Sequence, residues 1–188
     1  MKLHIKYMVS QRCKMIVKDA LKELGLHFVI VELGEAEIME DISDAQRAQL
    51  KSSFLDSGLE LMDDKRTILI EKIKAIVIEL VHYTDDLPSI NYSDFISEKL
   101  GYNYNYLSNL FSDVKGMTIQ QFIINHKVER IKELIIYDEL TMSEIAWKMN
   151  YSSVAHLSNQ FKKITGVSPS HFKQLKEKRR TPIEEIGN

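Results

Sequence analysis

The sequence is poor in the residues that mark several classes of protein. Among 188 residues it has one Cys, three Pro and seven Gly. A single Cys excludes a disulfide scaffold and any zinc site built from several thiolates. Scarce Gly and Pro exclude collagen-like chains, and a hydrophobic fraction of 44% excludes disorder. The length suffices for one large domain or two small ones, each with its own core.

Long hydrophobic runs and targeting signals are also missing. No apolar run approaches about 18 residues, so we expect no membrane span. Residues 1–6, MKLHIK, lack the apolar region of a signal peptide. We therefore expect a soluble protein of a reducing cytoplasm.

Sequence motifs for catalysis are absent as well. The sequence has no Gly-rich phosphate loop, no nucleophile elbow and no paired-His motif, and its six His are scattered. We therefore expect neither an enzyme nor a resident cofactor or metal.

The net charge of −2 hides a gradient along the chain. Residues 1–64 carry 8 cations and 12 anions, giving −4, whereas residues 65–188 carry 17 and 15, giving +2. Residues 146–180 have eight cations and one anion, giving +7. These cations are Lys148, Lys162, Lys163, Lys173, Lys176, Lys178, Arg179 and Arg180. A basic end on an acidic chain favours a local contact with phosphate, and a solvated basic tail is the alternative.

The hydrophobic period changes repeatedly within the first 64 residues. Four segments have the pattern of strands, at 2–7, 28–33, 36–40 and 59–62. Two segments have helical spacing, at 12–24 and 44–57, and Met15 and Leu55 are among the apolar residues that follow it. The order βαββαβ predicts a two-layer, ferredoxin-like α+β sandwich.

The rest of the chain has the pattern of helices throughout. A long helix is predicted over 67–83 and ends at residues 85–88, DDLP. About six short helices follow, and Thr118 and Thr141 each begin a capping-box sequence, while Ser168 precedes Pro169. We therefore predict an α+β domain over 1–64, an all-α domain over 65–180 and a tail over 181–188.

The helical part contains an internal duplication. ISEKLGY at 96–102 is similar to IAWKMNY at 145–151, and LSNLF at 107–111 is similar to LSNQF at 157–161. In each copy a short helix ends at Gly101 or Asn150, residue types that tolerate a left-handed turn. A second helix follows, and its expected buried stripe is Leu107, Leu110, Phe111 and Val114, or Leu157, Phe161 and Ile164. This is the helix-turn-helix plan, whose second helix enters a DNA major groove; a helix pair that only packs is the alternative.

Residues 142–172, MSEIAWKMNYSSVAHLSNQFKKITGVSPSHF, resemble the signature of AraC-type transcriptional regulators. The resemblance extends over residues 67–178, with Asn150 where the family usually has Gly and Leu157 where Phe is common. It implies a sequence-specific DNA-binding regulator that sets two recognition helices into successive major-groove segments of duplex DNA. The linker helix 119–137 would hold them about one DNA turn, roughly 34 Å, apart.

The resemblance also implies which residues meet DNA. Its main base-reading positions fall on Asn105 and Asn109 in one copy and on Ala155 and Asn159 in the other. Ser108, Ser152 and Ser153 are further candidates beside them. Because Asn can bond adenine bidentately and Arg is absent from both helices, we expect a target that favours A·T pairs, unless these Asn are merely solvated. The candidate phosphate contacts are Lys127, Arg130, Lys162, Lys163 and the helix starts near Ser143, Ser152 and Ser168.

Residues 8–13, MVSQRC, resemble the Met-x-Cys-x-x-Cys loop of heavy-metal-associated domains, with Ser10 in place of the first Cys. A hydroxyl is a poor ligand for a soft metal, so capture of a metal within one chain is not expected. Three interpretations of Cys13 stay open: a small buried apolar residue, a thiol sensor, or one of two Cys that two chains supply to a shared metal. We expect this module to form a homodimer or to dock a protein partner.

A second hypothesis from a different class is a metal-handling or redox-sensing protein whose helical half binds a protein partner. The regulator hypothesis predicts salt-sensitive binding of residues 65–188 to duplex DNA. The alternative predicts no such binding and a metal uptake that Cys13→Ser abolishes.

Overall fold

The computed structural model describes residues 1–62, 64–84, 91–175 and 180–187. The chain divides into two compact units, Met1–Ile76 and Val77–Asn188, whereas the sequence prediction placed the domain boundary near residue 64. The division falls inside a helix, Lys65–Ile78.

The first unit is built around a four-stranded antiparallel sheet. Its elements in chain order are β1 (Lys2–Lys6), α1 (Gln11–Glu23), β2 (Phe28–Glu32), β3 (Glu35–Ile38), α2 (Asp44–Asp56), β4 (Glu60–Met62) and α3 (Lys65–Ile78). The strands lie in the order β2-β3-β1-β4, and all neighbours are antiparallel. The small sheet that the alternating pattern predicts is therefore present.

The core of this unit lies on the face of the sheet that carries Leu3 and Ile5. The helical residues that share this core are Val17, Ala20, Leu21, Leu50 and Phe54. Met15 and Leu55, which are among the apolar residues at helical spacing, lie outside this core, because they are 63% and 57% exposed. The buried stripe of α1 runs at i, i+3 and i+4 from Val17, which turns Met15 toward solvent.

Helix α3 lies over the opposite face of the sheet. His4 of β1 and Glu35 of β3 are paired on that face, and Lys72 of α3 forms an ion pair with Glu35 at 3.0 Å. Burial opposes ionisation of Glu35, but hydrogen bonds from Lys2 and Lys72 outweigh it and lower the pKa of this carboxyl. The hydrophobic spacing predicts this helix but not its contact with the sheet.

The second unit is helical in the residues that the structure describes. A π-helical turn (Glu79–Tyr83) continues α3. The following elements are α4 (Tyr92–Leu100), α5 (Tyr104–Lys115), α6 (Ile119–Tyr137), α7 (Met142–Lys148), α8 (Val154–Thr165), α9 (Pro169–Gln174) and a 3₁₀ turn (Ile183–Glu185). The linker helix has its predicted bounds, whereas the predicted helix end at 85–88 lies outside the described residues.

Side-chain caps fix several of these helix starts. The Thr141 hydroxyl accepts from the Glu144 N–H, and the Glu144 carboxylate accepts from the Thr141 N–H at 2.7 Å, so this capping box is confirmed. At Thr118 the hydroxyl accepts from the Gln121 N–H at 3.1 Å, while the Gln121 side chain donates its amide to Asn125 at 2.8 Å, so only the hydroxyl half of this capping box is seen. Ser168 caps α9 as predicted.

Helix α6 is the most deeply buried element of the second unit. Its buried residues are Ile119, Phe122, Ile123, His126, Lys127, Val128, Glu129, Ile131, Leu134 and Ile135. The C-terminal segment also packs on it, since the Thr181 N–H donates to Glu129 at 2.9 Å and Ile186 is buried. None of the described helices combines the length and apolarity that crossing a bilayer requires.

The π-helical turn places a buried histidine against α6. Nε2 of His82 lies 3.1 Å from Nδ1 of His126. Burial lowers the pKa of His82 to about 4, and the nearby Arg130 guanidinium acts in the same direction. His82 is therefore neutral in the folded protein at neutral pH.

We predict that acidification destabilises the second unit through His82. Between pH 6.5 and 4 the unfolded chain takes up a proton that folded His82 resists, which lowers the free energy of unfolding by about 3 kcal/mol. Urea unfolding at pH 7 and pH 4.5, followed by circular dichroism, measures this difference. His82→Gln is the control, since it cannot titrate; an equal acid sensitivity in this variant would contradict the prediction.

Candidate nucleic-acid interface

The first helix-turn-helix consists of α4, a three-residue turn and α5. Gly101 ends α4 with φ 71°, a left-handed conformation that favours glycine. The Asn103 side chain then caps α5 by accepting from the Asn105 N–H at 2.9 Å. The turn and the cap together set the direction in which α5 leaves α4.

The second helix-turn-helix consists of α7 and α8. Asn150 occupies the equivalent turn with φ 54°, so the predicted left-handed conformation is confirmed. The Tyr151 N–H donates to the Ala146 carbonyl at 2.9 Å, and Ser153 caps α8 by accepting from the His156 N–H. The duplication in sequence is therefore also a duplication in structure.

Each copy packs against the helix that follows it through a pair of phenylalanines. The Phe111 and Phe122 rings are 5.4 Å apart, and the Phe161 and Phe172 rings are 5.6 Å apart, both edge-to-face. The predicted buried stripes are confirmed at Leu107, Leu110 and Phe111 of α5 and at Leu157 and Phe161 of α8. They are wrong at Val114 (53% exposed) and Ile164 (39% exposed), both in the last turn of their helices.

The opposite face of each recognition helix is exposed and polar. Asn105 and Asn109 are exposed on α5, while Ser108 between them is half-buried. Ala155 and Asn159 are exposed on α8. Because these positions recur at i and i+4, each helix presents one stripe of side chains to solvent.

The serines before α8 serve mainly to shape its start. The Ser153 hydroxyl accepts the capping bond, and the Ser152 hydroxyl lies 3.1 Å from Nδ1 of His156. Both residues are exposed. Their side chains are therefore engaged within the helix start, next to the exposed stripe of α8.

Pairs of aromatic rings lie beside the two exposed stripes, and none of these residues is among the predicted DNA contacts. Tyr102 and Tyr106 stack at 5.7 Å and are about half exposed. The equivalent residues of the second copy, Tyr151 and His156, have rings 5.2 Å apart, with His156 exposed. The register of the repeat, which aligns these two pairs, was the signal that could have found them.

The candidate phosphate contacts fall into two groups. Lys162 and Lys163 are exposed in the last turn of α8, and Ser143 is exposed in the first turn of α7. Ser168 is half-buried and caps α9. These residues leave their side chains or helix starts accessible, as a contact with phosphate requires.

The two linker-helix candidates are engaged inside the protein. Lys127 is buried, and its Nζ donates to the Met149 carbonyl at 2.9 Å. Burial lowers the pKa of Lys127 to about 8. Arg130 donates to Glu133 at 2.6 Å and is only 20% exposed.

The basic segment 146–180 is only partly described. Arg180 forms an ion pair with Glu133 at 3.4 Å, and Lys173 forms one with Asp138. Lys176, Lys178 and Arg179 lie outside the described residues. On α8, the exposed positive charges of this segment are those of Lys162 and Lys163.

Cys13 lies in the first turn of α1 and is half-buried. Its Sγ is 3.3 Å from the Ser10 hydroxyl, which caps the helix by accepting from the Cys13 N–H. Among the described residues no group of three His, Cys, Asp or Glu side chains is arranged to hold a metal ion.

Comparison with known families identifies the class of this fold. Residues 96–175 match the family described as a helix-turn-helix domain. This stretch begins in α4 and ends after α9, so it contains both recognition helices. The match therefore agrees with a helix-turn-helix architecture for these residues.

Individual relatives agree with this class. The chain is 24% identical over 127 residues to YtdP of Bacillus subtilis (strain 168), an uncharacterized HTH-type transcriptional regulator; the match covers 68% of this chain and 16% of YtdP. It is 26% identical over 120 residues to the transposon Tn10 TetD protein of Escherichia coli, covering 64% of this chain and 85% of TetD. The C-terminal domain of AraT, a response regulator from Geobacillus stearothermophilus, has the same fold. The two superpose with a TM-score of 0.51 at 21% sequence identity, and the match covers 63% of this chain and 92% of that domain.

We predict that the turn of the first copy tolerates Asn but not Ala. Gly101→Ala should lower the free energy of unfolding by about 1 kcal/mol, because Ala disfavours the left-handed conformation. The effect is purely conformational, since nothing lies within 4 Å of a Cβ at this position. Gly101→Asn should cost less than half as much, because Asn tolerates this conformation and Asn150 adopts it in the second copy. Denaturant unfolding compares the variants, and an equal cost for both would contradict the prediction.

Proposed function

We propose that this chain is a sequence-specific, DNA-binding transcriptional regulator that inserts α5 and α8 into successive major-groove segments. The observation that carries the proposal is the duplicated helix-turn-helix, in which both second helices expose a polar stripe. The match of residues 96–175 to a helix-turn-helix family and the similarity to YtdP, named a transcriptional regulator, support it.

The proposed base contacts are the exposed stripe residues. Asn105, Asn109 and Asn159 carry amides that can bond adenine N6 and N7, and Ala155 is small enough to approach a thymine methyl. Ser108, Ser152 and Ser153 lie beside them as further candidates. Because the stripes contain no Arg, the usual guanine reader, we propose a target that favours A·T pairs.

The proposed phosphate contacts are concentrated on the second copy. Lys162 and Lys163 are exposed, and the N–H groups at the starts of α7, α8 and α9 can face phosphate near Ser143, Ser152 and Ser168. Arg130 is retained as a weaker candidate because Glu133 already holds it. Lys127 is left out of this set because its ammonium is buried.

We further propose that residues 1–62 form a ferredoxin-like module related to heavy-metal-associated domains. The strand order β2-β3-β1-β4 with two helices between the strands supports this assignment. With Ser10 at the position of the first metal-binding Cys, the module is better suited to dimer formation or docking of a protein partner than to metal capture. The thiol of Cys13, at a helix start, is a candidate sensor.

We predict that the two equivalent asparagines contribute specific affinity. Asn109→Ala and Asn159→Ala should each weaken binding to a duplex selected from a random pool by about 1–3 kcal/mol and relax the preference at one base position. Fluorescence anisotropy on the selected duplex and its point variants measures both effects. Gln49→Ala, which removes an exposed amide on α2, is the matched control. Unchanged affinity and preference in both Asn variants would refute the base-reading assignment.

We predict that the lysines at the end of α8 supply salt-dependent affinity. The double variant Lys162→Gln, Lys163→Gln should reduce the slope of log K against log salt by about 2, because each lysine neutralises one phosphate. Titrations at several salt concentrations measure the slope. The control variant Lys22→Gln, Lys51→Gln removes the same charge from exposed positions of the first unit. A slope that falls equally in both variants would show that net charge alone is responsible.

A further inference from the structure

One buried lysine contacts elements of both helix-turn-helix copies. Lys127 lies in the middle of the linker helix α6, and its Nζ donates to the carbonyl of Met149, which ends α7. The Nζ also lies 5.2 Å from the ring centre of Tyr92 and 5.2 Å from that of Tyr151. Within the described part of the chain, no carboxylate is in ion-pair distance of this ammonium.

The two tyrosines belong to different copies. Tyr92 is the first residue of α4, so it belongs to the first helix-turn-helix. Tyr151 lies in the turn of the second, directly after Asn150. An ammonium is attracted to the faces of aromatic rings, and the attraction is stronger when water is excluded. Lys127 therefore holds an element of each copy against the linker helix.

The contact continues from the turn to the second recognition helix. The Tyr151 hydroxyl donates to the Gln160 side chain at 2.6 Å, and Gln160 belongs to α8. The Met149 carbonyl immediately precedes the left-handed residue that redirects the chain into α8. Lys127 thus contacts the residues on both sides of Asn150, and Tyr151 connects this contact to α8.

Packing alone does not require an ammonium at this position. Burying a charge without a counter-ion is unfavourable, and an apolar side chain of similar length would fill the same space. The lowered pKa of Lys127 reflects that burial. What an apolar side chain cannot supply is a directional bond to the Met149 carbonyl between two aromatic rings.

We propose that Lys127 is a positioning residue that fixes the separation of α5 and α8 and thereby determines which spacing between two DNA half-sites the protein selects. The spacing part rests on the proposed function. The fixed separation of the two helices does not, and it can be measured without DNA.

The first measurement is the distance between the recognition helices in the full chain. Spin labels at Asp113→Cys and Lys163→Cys, both exposed positions, are introduced with Cys13→Ser to remove the native thiol. Pulsed electron spin resonance should give a narrow distance distribution for the parent and for Lys127→Arg. Lys127→Met should broaden it, and a distribution as narrow as that of the parent would overturn the proposal.

The second measurement is spacing selectivity on DNA. The probes are a duplex selected by the full chain from a random pool, the same duplex with one or two base pairs inserted between the half-sites, and one with a single half-site scrambled. The parent should prefer the selected spacing by at least about tenfold, and Lys127→Met by less than about threefold, with equal affinity for the single half-site. A uniform loss of affinity on every probe would indicate a merely structural role and contradict the proposal.

The two measurements separate the positioning role from the proposed function. If the parent selects no duplex, the proposed function fails, while the distance distribution still decides whether Lys127 positions the helices. Should Lys127→Met fail to fold, Tyr92→Leu removes the aromatic contact from the first copy and keeps the bond to Met149. This variant should also broaden the distribution, and an unchanged width would overturn the proposal.

Discussion

The second unit depends on the burial of α6 on more than one face. A surface helix buries one stripe, whereas α6 buries residues around much of its circumference, including polar ones. Phe122 contacts the first recognition helix, His126 contacts the π-helical turn, and Glu129 accepts a bond from the C-terminal segment. A helix covered in this way has little freedom to rotate or slide, so the elements packed on it keep fixed positions.

The two copies of the helix-turn-helix pack in the same way. In both copies an edge-to-face phenylalanine pair joins the recognition helix to the helix that follows it. Apolar residues hold each recognition helix from behind, which leaves its polar face exposed. Asn105, Asn109, Ala155 and Asn159 therefore lie outside the buried core, whereas Ser153 also caps α8.

Local features of the fold could be predicted from the sequence. Asn150 and Gly101 in the turns, Thr141 before α7 and the bounds of α6 follow from short-range rules about conformation, capping and period. Contacts between distant residues could not be predicted in the same way. Lys127 has the sequence context of a surface cation, and only the tertiary structure brings Met149, Tyr92 and Tyr151 around it.

The same distinction holds for the faces of the elements. Hydrophobic spacing predicts a buried face but not which of its residues a neighbouring element covers, and Val114 and Ile164 in the last turns of α5 and α8 are exposed. Likewise, the pattern of α3 predicts a helix and cannot reveal that Lys72 meets the sheet at Glu35. In both cases the missing information is the position of a second element.

The length of helix α6 limits how this chain can change in evolution. Helices α6 and α9 both begin with a capped turn and a phenylalanine that contacts the preceding recognition helix, but α6 has 19 residues and α9 has six. One added residue would turn everything after α6 by about 100° and shift it by about 1.5 Å. Because so large a rotation would change the direction in which the second copy faces, α6 tolerates substitution at its exposed positions far better than insertion or deletion.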